Sequence, residues 1–207
     1  MKCAICNERK PRRHCPGVSG DICSICCGNE RERSILCPSD CEYLREARRH
    51  ERRVGITLEN LPNSDLQVTE EFLYEHRELM ALFGAAILAA AQGVEGALDS
   101  DALEAIDGLL QSLRTLQNGL YYERLPDNPI ARAIQRDMRA ALKSIEARPD
   151  APPILSAHVI GMLVFFQRVG LNCNNGRPKC RAFIDFLRDG LALEPPPLEL
   201  PPLIVTP

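Results

Sequence analysis

A dense cysteine cluster near the N-terminus is the feature that most constrains how this chain can fold. Eight of the ten cysteines in the 207 residues fall between Cys3 and Cys41. They are arranged as Cys3-x2-Cys6, His14-Cys15, Cys23-x2-Cys26-Cys27 and Cys37-x3-Cys41. Two cysteines separated by two or three residues can reach one metal ion from a tight turn. Residues 1–53 hold few other apolar side chains, too few to offset an ordering entropy of about 1–2 kcal/mol per residue. Bound metal is therefore predicted to hold this region together.

The number of candidate ligands predicts two metal ions. Eight thiols with one neighbouring histidine fit two tetrahedral sites of four ligands each. The candidate ligands are Cys3, Cys6, Cys15, Cys23, Cys26, Cys27, Cys37 and Cys41, with His14 as an alternative eighth ligand. Two Zn²⁺ ions are expected, because tetrahedral thiolate sites suit zinc without any redox role. Iron–sulfur clusters are the alternative, since they also use quartets of cysteine.

The last cysteine pair is followed by a predicted helix. Ser39 and Glu42 have the spacing of an S-x-x-E capping box, which would start a helix through Tyr43 and Leu44. Cys41 would then be a ligand in the first turn of that helix. Such an arrangement is typical of treble-clef zinc fingers.

The order C-x2-C, C-P-x-V, C-S-x2-C and C-x3-C resembles the HIT-type zinc finger over residues 3–41. That family has C-x2-C, C-P-x-C, C-S-x2-C and H-x3-C. The sequence departs from the pattern at Val18, which occupies a ligand position, and at Cys37, which replaces the histidine. The missing eighth ligand would have to come from Cys26 or His14, both outside the pattern.

The resemblance implies a cross-brace, in which the first pair of ligands joins the third and the second joins the fourth. One ion would then be bound by Cys3, Cys6, Cys23 and Cys27. The other would be bound by Cys15, Cys37 and Cys41 with either Cys26 or His14. A pairing with Cys26 and Cys27 exchanged is an open alternative.

The remainder of the chain predicts a mostly α-helical protein. After the finger module at residues 1–53, a linker is expected at 54–68, a five-helix bundle at 69–190 and an extended Pro/Leu-rich tail at 191–207. The five helices are expected to start at Thr69, near Asp99, at Asn128-Pro129, near Leu155 and at Arg177-Pro178. Cys173 and Cys180 flank the last loop and have no further ligands nearby in the sequence, so buried thiols are expected there.

The proline-rich tail carries a separate hypothesis. Proline at this density favours an extended polyproline conformation. The apolar residues Leu203, Ile204 and Val205 could act as a docking peptide for a partner. A strap lying on the bundle or a disordered end are the alternatives.

The charge of the finger module changes once metal is counted. Residues 1–53 carry 12 Lys and Arg against eight Asp and Glu, but eight bound thiolates and two Zn²⁺ ions would bring the module to zero. A basic face remains on the predicted helix, formed by Arg45, Arg48, Arg49 and Arg52. These arginines are possible contacts for nucleic acid or for a protein partner, and Tyr43 is the module's only aromatic residue on which a base could stack.

These patterns favour a non-enzymatic, zinc-binding adaptor with a protein partner. No phosphate loop, nucleophile elbow or H-E-x-x-H motif is present. The first residues have no apolar run like that of a secretory signal, and no segment approaches the roughly 20 apolar residues of a membrane span. A cytoplasmic location with reduced thiols is therefore expected. The alternative function is a nucleic-acid-binding regulator that uses the Arg45–Arg53 helix.

Overall fold

The fold was examined in a computed structural model, which describes residues 1–51, 56–120, 122–147 and 155–192. Within these ranges the protein is mostly α-helical, as predicted, with one small sheet. Its elements are β1 (Arg13–Cys15), β2 (Gly20–Ile22), α1 (Ser24–Glu30), α2 (Glu42–His50), α3 (Glu70–Glu75), α4 (Arg77–Gln92), α5 (Asp99–Gln117), α6 (Pro129–Glu146), α7 (Ser156–Cys173) and α8 (Ala182–Ala192). The tail residues 193–207, including Leu203, Ile204 and Val205, lie outside the described residues.

The N-terminal module is a hairpin followed by two short helices. Strands β1 and β2 pair antiparallel, with His14 opposite Asp21. The hairpin turn packs so tightly against the chain before α2 that a Cβ at Gly17 would lie 2.7 Å from the Leu36 carbonyl oxygen. The buried side chains are the cysteines described below together with Ile22, Ile35 and Leu44. So small an apolar core agrees with the sequence argument that other interactions must stabilise this module.

The C-terminal part is a helical bundle around α5 and α7. Helix α5 packs against α6 and α7, while α4 packs against α6 and α8. Nine of the 18 residues of helix α7 are buried, because this helix is apolar on most of its faces. The largest fully buried side chains in this core are Phe83, Ile87, Ile106, Leu109, Leu110, Ile134, Met162, Leu163, Phe183 and Ile184.

The first predicted helix of the bundle is divided in two at His76. The backbone there leaves the helical conformation, with φ −109° and ψ 26°, so that α3 ends and α4 begins. This turn brings the Phe72 ring onto α7, so close that a Cβ at Gly161 would lie 2.7 Å from it. Packing between helices thus overrides a periodicity that is continuous in the sequence.

Helix α8 starts at Ala182, later than the predicted start at Arg177-Pro178. The carboxylate of Asp99, at the start of α5, accepts hydrogen bonds from the backbone N–H groups of Phe183 (2.9 Å) and Ile184 (3.1 Å). A carboxylate at this position satisfies N–H groups that lack a partner inside the helix and interacts favourably with the helix dipole. The cap of α8 is therefore supplied by another helix.

Part of the predicted linker is held against the bundle. The Arg168 side chain on α7 donates to the carbonyl oxygens of Asn63 (2.8 Å) and Leu66 (2.9 Å). Asn63 also donates to the Gln167 side chain at 2.7 Å. Among the helices that the structure describes, none combines the length and the apolar character needed to cross a bilayer.

Candidate metal centre

Four cysteines of the N-terminal module form a compact thiol cluster. The Sγ atoms of Cys3, Cys6, Cys23 and Cys26 all lie within 4.8 Å of one another. A tetrahedral zinc ion with Zn–S bonds of about 2.3 Å separates its sulfur ligands by about 3.8 Å, so the cluster needs only a small contraction to bind an ion. Three of the four residues are buried, and Cys6 is partly exposed. We call this set the first thiol cluster.

The start of α1 explains why Cys26, and not Cys27, belongs to the first thiol cluster. Cys23 is the N-cap of this helix, and its sulfur accepts a hydrogen bond from the Cys26 N–H at 3.4 Å. Successive side chains on a helix are rotated by about 100°, so Cys27 points away from Cys23. The structure thus places Cys26 beside Cys3, Cys6 and Cys23, which agrees with the exchanged pairing for this set.

Hydrogen bonds between thiols shift the pKa values within the first thiol cluster. Burial acts to raise the pKa of Cys3, but the backbone N–H groups of Cys6, Cys23 and Ile5 outweigh it and lower that pKa to about 6. The side chain of Cys23 and burial raise the pKa of Cys26 to about 12. Without a cation, then, the cluster favours a mixture of thiolates and thiols. A divalent ion would displace the remaining protons, because thiolates are the metal ligands.

The other four cysteines line a small cavity in the same module. Cys15, Cys27, Cys37 and Cys41 line a volume of about 20 Å³ together with apolar side chains that include Ile22 and Leu44. We call them the second thiol set. Burial raises the pKa of Cys15, with a further contribution from the neighbouring thiols, and burial together with the charge of Glu32 raises the pKa of Cys37. Arg13 donates to the Cys27 sulfur at 3.4 Å and stacks on the Tyr43 ring.

The helix after the last cysteine pair starts differently from the prediction. Cys41 itself is the N-cap of α2, and its side chain makes no capping hydrogen bond with the described residues. The capping box between Ser39 and Glu42 is therefore not formed. Cys41 therefore lies directly at the start of α2, where it lines the small cavity with the other members of the second thiol set.

His14 also lines the small cavity, and its Nδ1 lies 3.1 Å from Oδ1 of Asp21, its partner across the hairpin. The side chain is 69% exposed. Cys27 lines this cavity with Cys15, Cys37 and Cys41, whereas Cys26 belongs to the first thiol cluster.

The predicted basic face of α2 is divided by its contacts. Arg48 donates to Glu32 (2.7 Å) and to Asp185 on α8 (2.5 Å), with only 19% of its side chain exposed. Arg49 pairs on the surface with Glu46, and Arg45 lies near the Ser39 carbonyl. Arg52 lies outside the described residues. The most central arginine of the predicted contact face is thus occupied within the protein.

Arg48 belongs to a polar interface between the finger module and the bundle. Glu32 is 1% exposed, and its carboxylate also accepts a hydrogen bond from Asn175 at 2.8 Å. Its carbonyl oxygen accepts the Lys179 N–H at 2.8 Å. Near it, Glu51 accepts from Arg31 at 2.7 Å and from Asn175 at 3.0 Å. We call these contacts the finger–bundle interface. Sequence patterns did not reveal it.

The two cysteines outside the module are buried in the bundle, as expected. Burial, followed by the charge of Asp99, raises the pKa of Cys180 to about 12. A buried thiol with a raised pKa is unreactive. Neither Cys173 nor Cys180 adds a ligand to a thiol cluster in the part of the chain that the structure describes.

Comparisons of the chain with protein-family models, with curated proteins and with solved structures found no match. The similarity to the HIT-type finger therefore depends on the cysteine pattern alone.

Proposed function

We propose that the N-terminal module binds two structural Zn²⁺ ions and that the protein acts as an adaptor between other proteins. The observation that carries the proposal is the first thiol cluster, in which four sulfur atoms surround one point. Four protein ligands close a tetrahedral site, whereas catalytic zinc keeps one position open for water or substrate. Binding at such a site stabilises the fold and supplies no reaction.

The second thiol set is the proposed site of the second ion. Its four sulfur ligands come from β1, α1 and the chain around the start of α2, so an ion there would tie together all parts of a module with little apolar core. The adjacent residues Cys26 and Cys27 would bind different ions. This arrangement has the interleaved ligand order of a cross-brace.

Two features support a protein partner over nucleic acid. The module has exposed apolar side chains, among them Ile25 (51% exposed) and Leu36 (38% exposed), which suit contact with another protein. Arg48 is already paired with two carboxylates, so the α2 face has lost its central cation for phosphate contacts.

Native mass spectrometry of the full chain tests the metal assignment. We expect the mass of two Zn²⁺ ions in the wild type and of one ion in Cys26→Ser and in Cys27→Ser. Cys180→Ser is the matched control and should retain both ions, since Cys180 belongs to neither set. Binding of a single ion by the wild type, or visible absorption from iron and sulfide, would contradict the proposal.

A crosslinking experiment tests the adaptor role. The metal-loaded protein and its Ile25→Asp/Leu36→Asp variant would be compared for crosslinked protein partners, with Zn²⁺ content measured in both. Loss of partners at unchanged metal content is expected. A gel shift with RNA or DNA that disappears in Arg45→Ala/Arg49→Ala would instead favour the nucleic-acid alternative.

A further inference from the structure

A groove on the bundle, remote in sequence from the thiol clusters, has the features of a binding site. It lies between α6 and the segment 122–127 that precedes α6, with a volume of about 570 Å³. Ligand-binding pockets commonly have volumes of about 300–1,000 Å³. The groove is lined by Glu123, Leu125, Pro129, Arg132, Ala133, Gln135, Arg136, Arg139, Ala140 and Lys143.

The wall of the groove is fixed by hydrogen bonds from the neighbouring helices. Ser112 on α5 accepts the Arg124 N–H at 2.9 Å, and Gln135 on α6 donates to the Arg124 carbonyl at 2.9 Å. Arg132 donates through two nitrogen atoms to the Pro126 carbonyl. A Cβ at Gly108 would lie 2.7 Å from Gln135 Nε2, so α5 approaches this wall where only glycine fits. The groove is therefore a built part of the fold.

Four cations follow one face of α6 along the groove. Arg132, Arg136, Arg139 and Lys143 are spaced by four, three and four residues, which places them in one row. Arg136 pairs with Asp137 at 2.8 Å, and Arg139 lies 3.3 Å from Glu123. Lys143 forms no ion pair among the described residues. The cations outnumber the acids that face them, so the groove is complementary to a negatively charged occupant.

Two buried polar atoms in the lining residues lack partners within the described protein. One is Oε1 of Gln135, whose side chain is fully buried, and the other is Nε of Arg139. A buried polar atom without a hydrogen bond costs about 1–3 kcal/mol. Both atoms are shielded from solvent, so the surface of the groove, rather than these atoms, indicates its occupant. Leu125 is 51% exposed beside the row of cations. An acidic protein segment can supply both carboxylates for the cations and apolar side chains for Leu125.

We propose that this groove binds an acidic segment of a partner protein. Glu or Asp side chains of the segment pair with the row of cations, and its apolar side chains pack on Leu125 and Pro129. An acidic segment would be the part of a partner that the proposed adaptor recognises, and this proposal therefore rests on the proposed function. It does not depend on metal, because the groove belongs entirely to the bundle.

Fluorescence anisotropy with defined probes tests the proposal on the full, metal-loaded chain. The probe is a labelled peptide rich in Glu and Leu, and its control is the same peptide with Gln in place of Glu. The variant is Arg136→Glu/Lys143→Glu, at two exposed positions. The matched control is Arg33→Glu/Arg77→Glu, which changes the net charge equally on exposed cations outside the groove.

The groove variant is expected to bind the acidic probe at least tenfold more weakly than the wild type, and the control variant within about twofold. The Gln-containing peptide should bind weakly to all three proteins. If both variants lost the same affinity for the acidic probe, the loss would follow from net charge alone, and the proposal would be overturned. The proposal would also be overturned if a single-stranded RNA probe bound more tightly than the acidic peptide and lost this binding in the groove variant. A dimer of the wild type that the groove substitutions dissociate would overturn it as well. Zn²⁺ content measured in every variant separates failure at the groove from failure of the metal assignment.

Discussion

Replacement of Arg48 by methionine is expected to weaken the docking of the finger module on the bundle. The guanidinium of Arg48 lies between the carboxylates of Glu32 and Asp185, whose side chains are 1% and 6% exposed. Methionine has a similar apolar stem but no charge, so it would leave two buried carboxylates without their shared cation. The docked module is therefore expected to lose stability because of uncompensated charge more than because of lost packing.

The expected fall in unfolding free energy depends on the partners that Glu32 and Asp185 keep in the variant. Removing one member of a buried ion pair typically costs about 3–5 kcal/mol. In Arg48→Met, Asn175 still donates to Glu32 at 2.8 Å, and Arg188 still lies 3.1 Å from Asp185. These contacts offset part of the loss, so we expect a decrease in unfolding free energy of about 3 kcal/mol. With a urea m-value of about 2 kcal/mol/M, the midpoint would fall by about 1.5 M.

Urea unfolding followed by circular dichroism, with metal present, measures this change. The matched control is Arg49→Met, one residue along the same helix, where the side chain is 75% exposed and pairs with the exposed Glu46. An exposed pair contributes about 0–1 kcal/mol, so the control midpoint should move little. Equal midpoints for Arg48→Met and Arg49→Met would refute the argument that the buried network stabilises the protein.

Three further predictions concern the groove wall, acid and metal. Gly108→Ala would place a methyl group 2.7 Å from the Gln135 amide and should lower the unfolding free energy by about 1–3 kcal/mol. Gly190→Ala, at an exposed position of α8 where a Cβ meets no atom within 4 Å, should raise the unfolding free energy by about 0.5–1 kcal/mol. Urea midpoints that shift in the same direction in both variants would contradict this pair of predictions. Burial opposes ionisation of Glu51, but Arg31 and the other partners lower its pKa below the ordinary 4.5; this stabilisation is present above pH 4.5 and is lost as pH falls through the lowered value. Stability curves of wild type and Glu51→Gln should therefore converge in acid, and a constant separation would contradict the assignment. Chelation should preserve most of the far-UV helical signal while lowering the urea midpoint of the bundle, and an unchanged midpoint would mean that the finger–bundle interface contributes nothing.

The cysteine spacing predicted the first thiol cluster in part. All four members belong to pairs with two intervening residues, Cys3-x2-Cys6 and Cys23-x2-Cys26. Spacing alone does not show that these two pairs lie together, and the resemblance that implied it assigned Cys27 in place of Cys26. The start of α1 decides between these adjacent residues. A short helix of seven residues with few apolar positions leaves no periodicity from which that orientation could be read.

The remaining differences arise from contacts between residues far apart in the chain. The break at His76 depends on the packing of Phe72 on Gly161, and the start of α8 depends on Asp99. The break at His76 interrupts an apolar stripe that is continuous in the sequence. The late start of α8 occurs although a proline marks an earlier helix start. The interaction of Arg48 with Asp185 spans 137 residues, and no local pattern marks an arginine whose partners come from another element.

That same sequence separation has a consequence for the order in which the protein can form. At synthesis rates of about 5–20 residues per second, Asp185 follows Arg48 from the ribosome by roughly 7–27 s, so the module must exist for that time before its docking surface is made. During the interval Glu32 and Arg48 lack the side chains of Asn175 and Asp185, which later bind them. Closing so long a loop costs little more entropy than closing a loop of half the length, about 0.6 kcal/mol. The time between the synthesis of the two sides, rather than the entropy of loop closure, therefore distinguishes this interface from contacts within the bundle, and the module is made before the surface on which it docks.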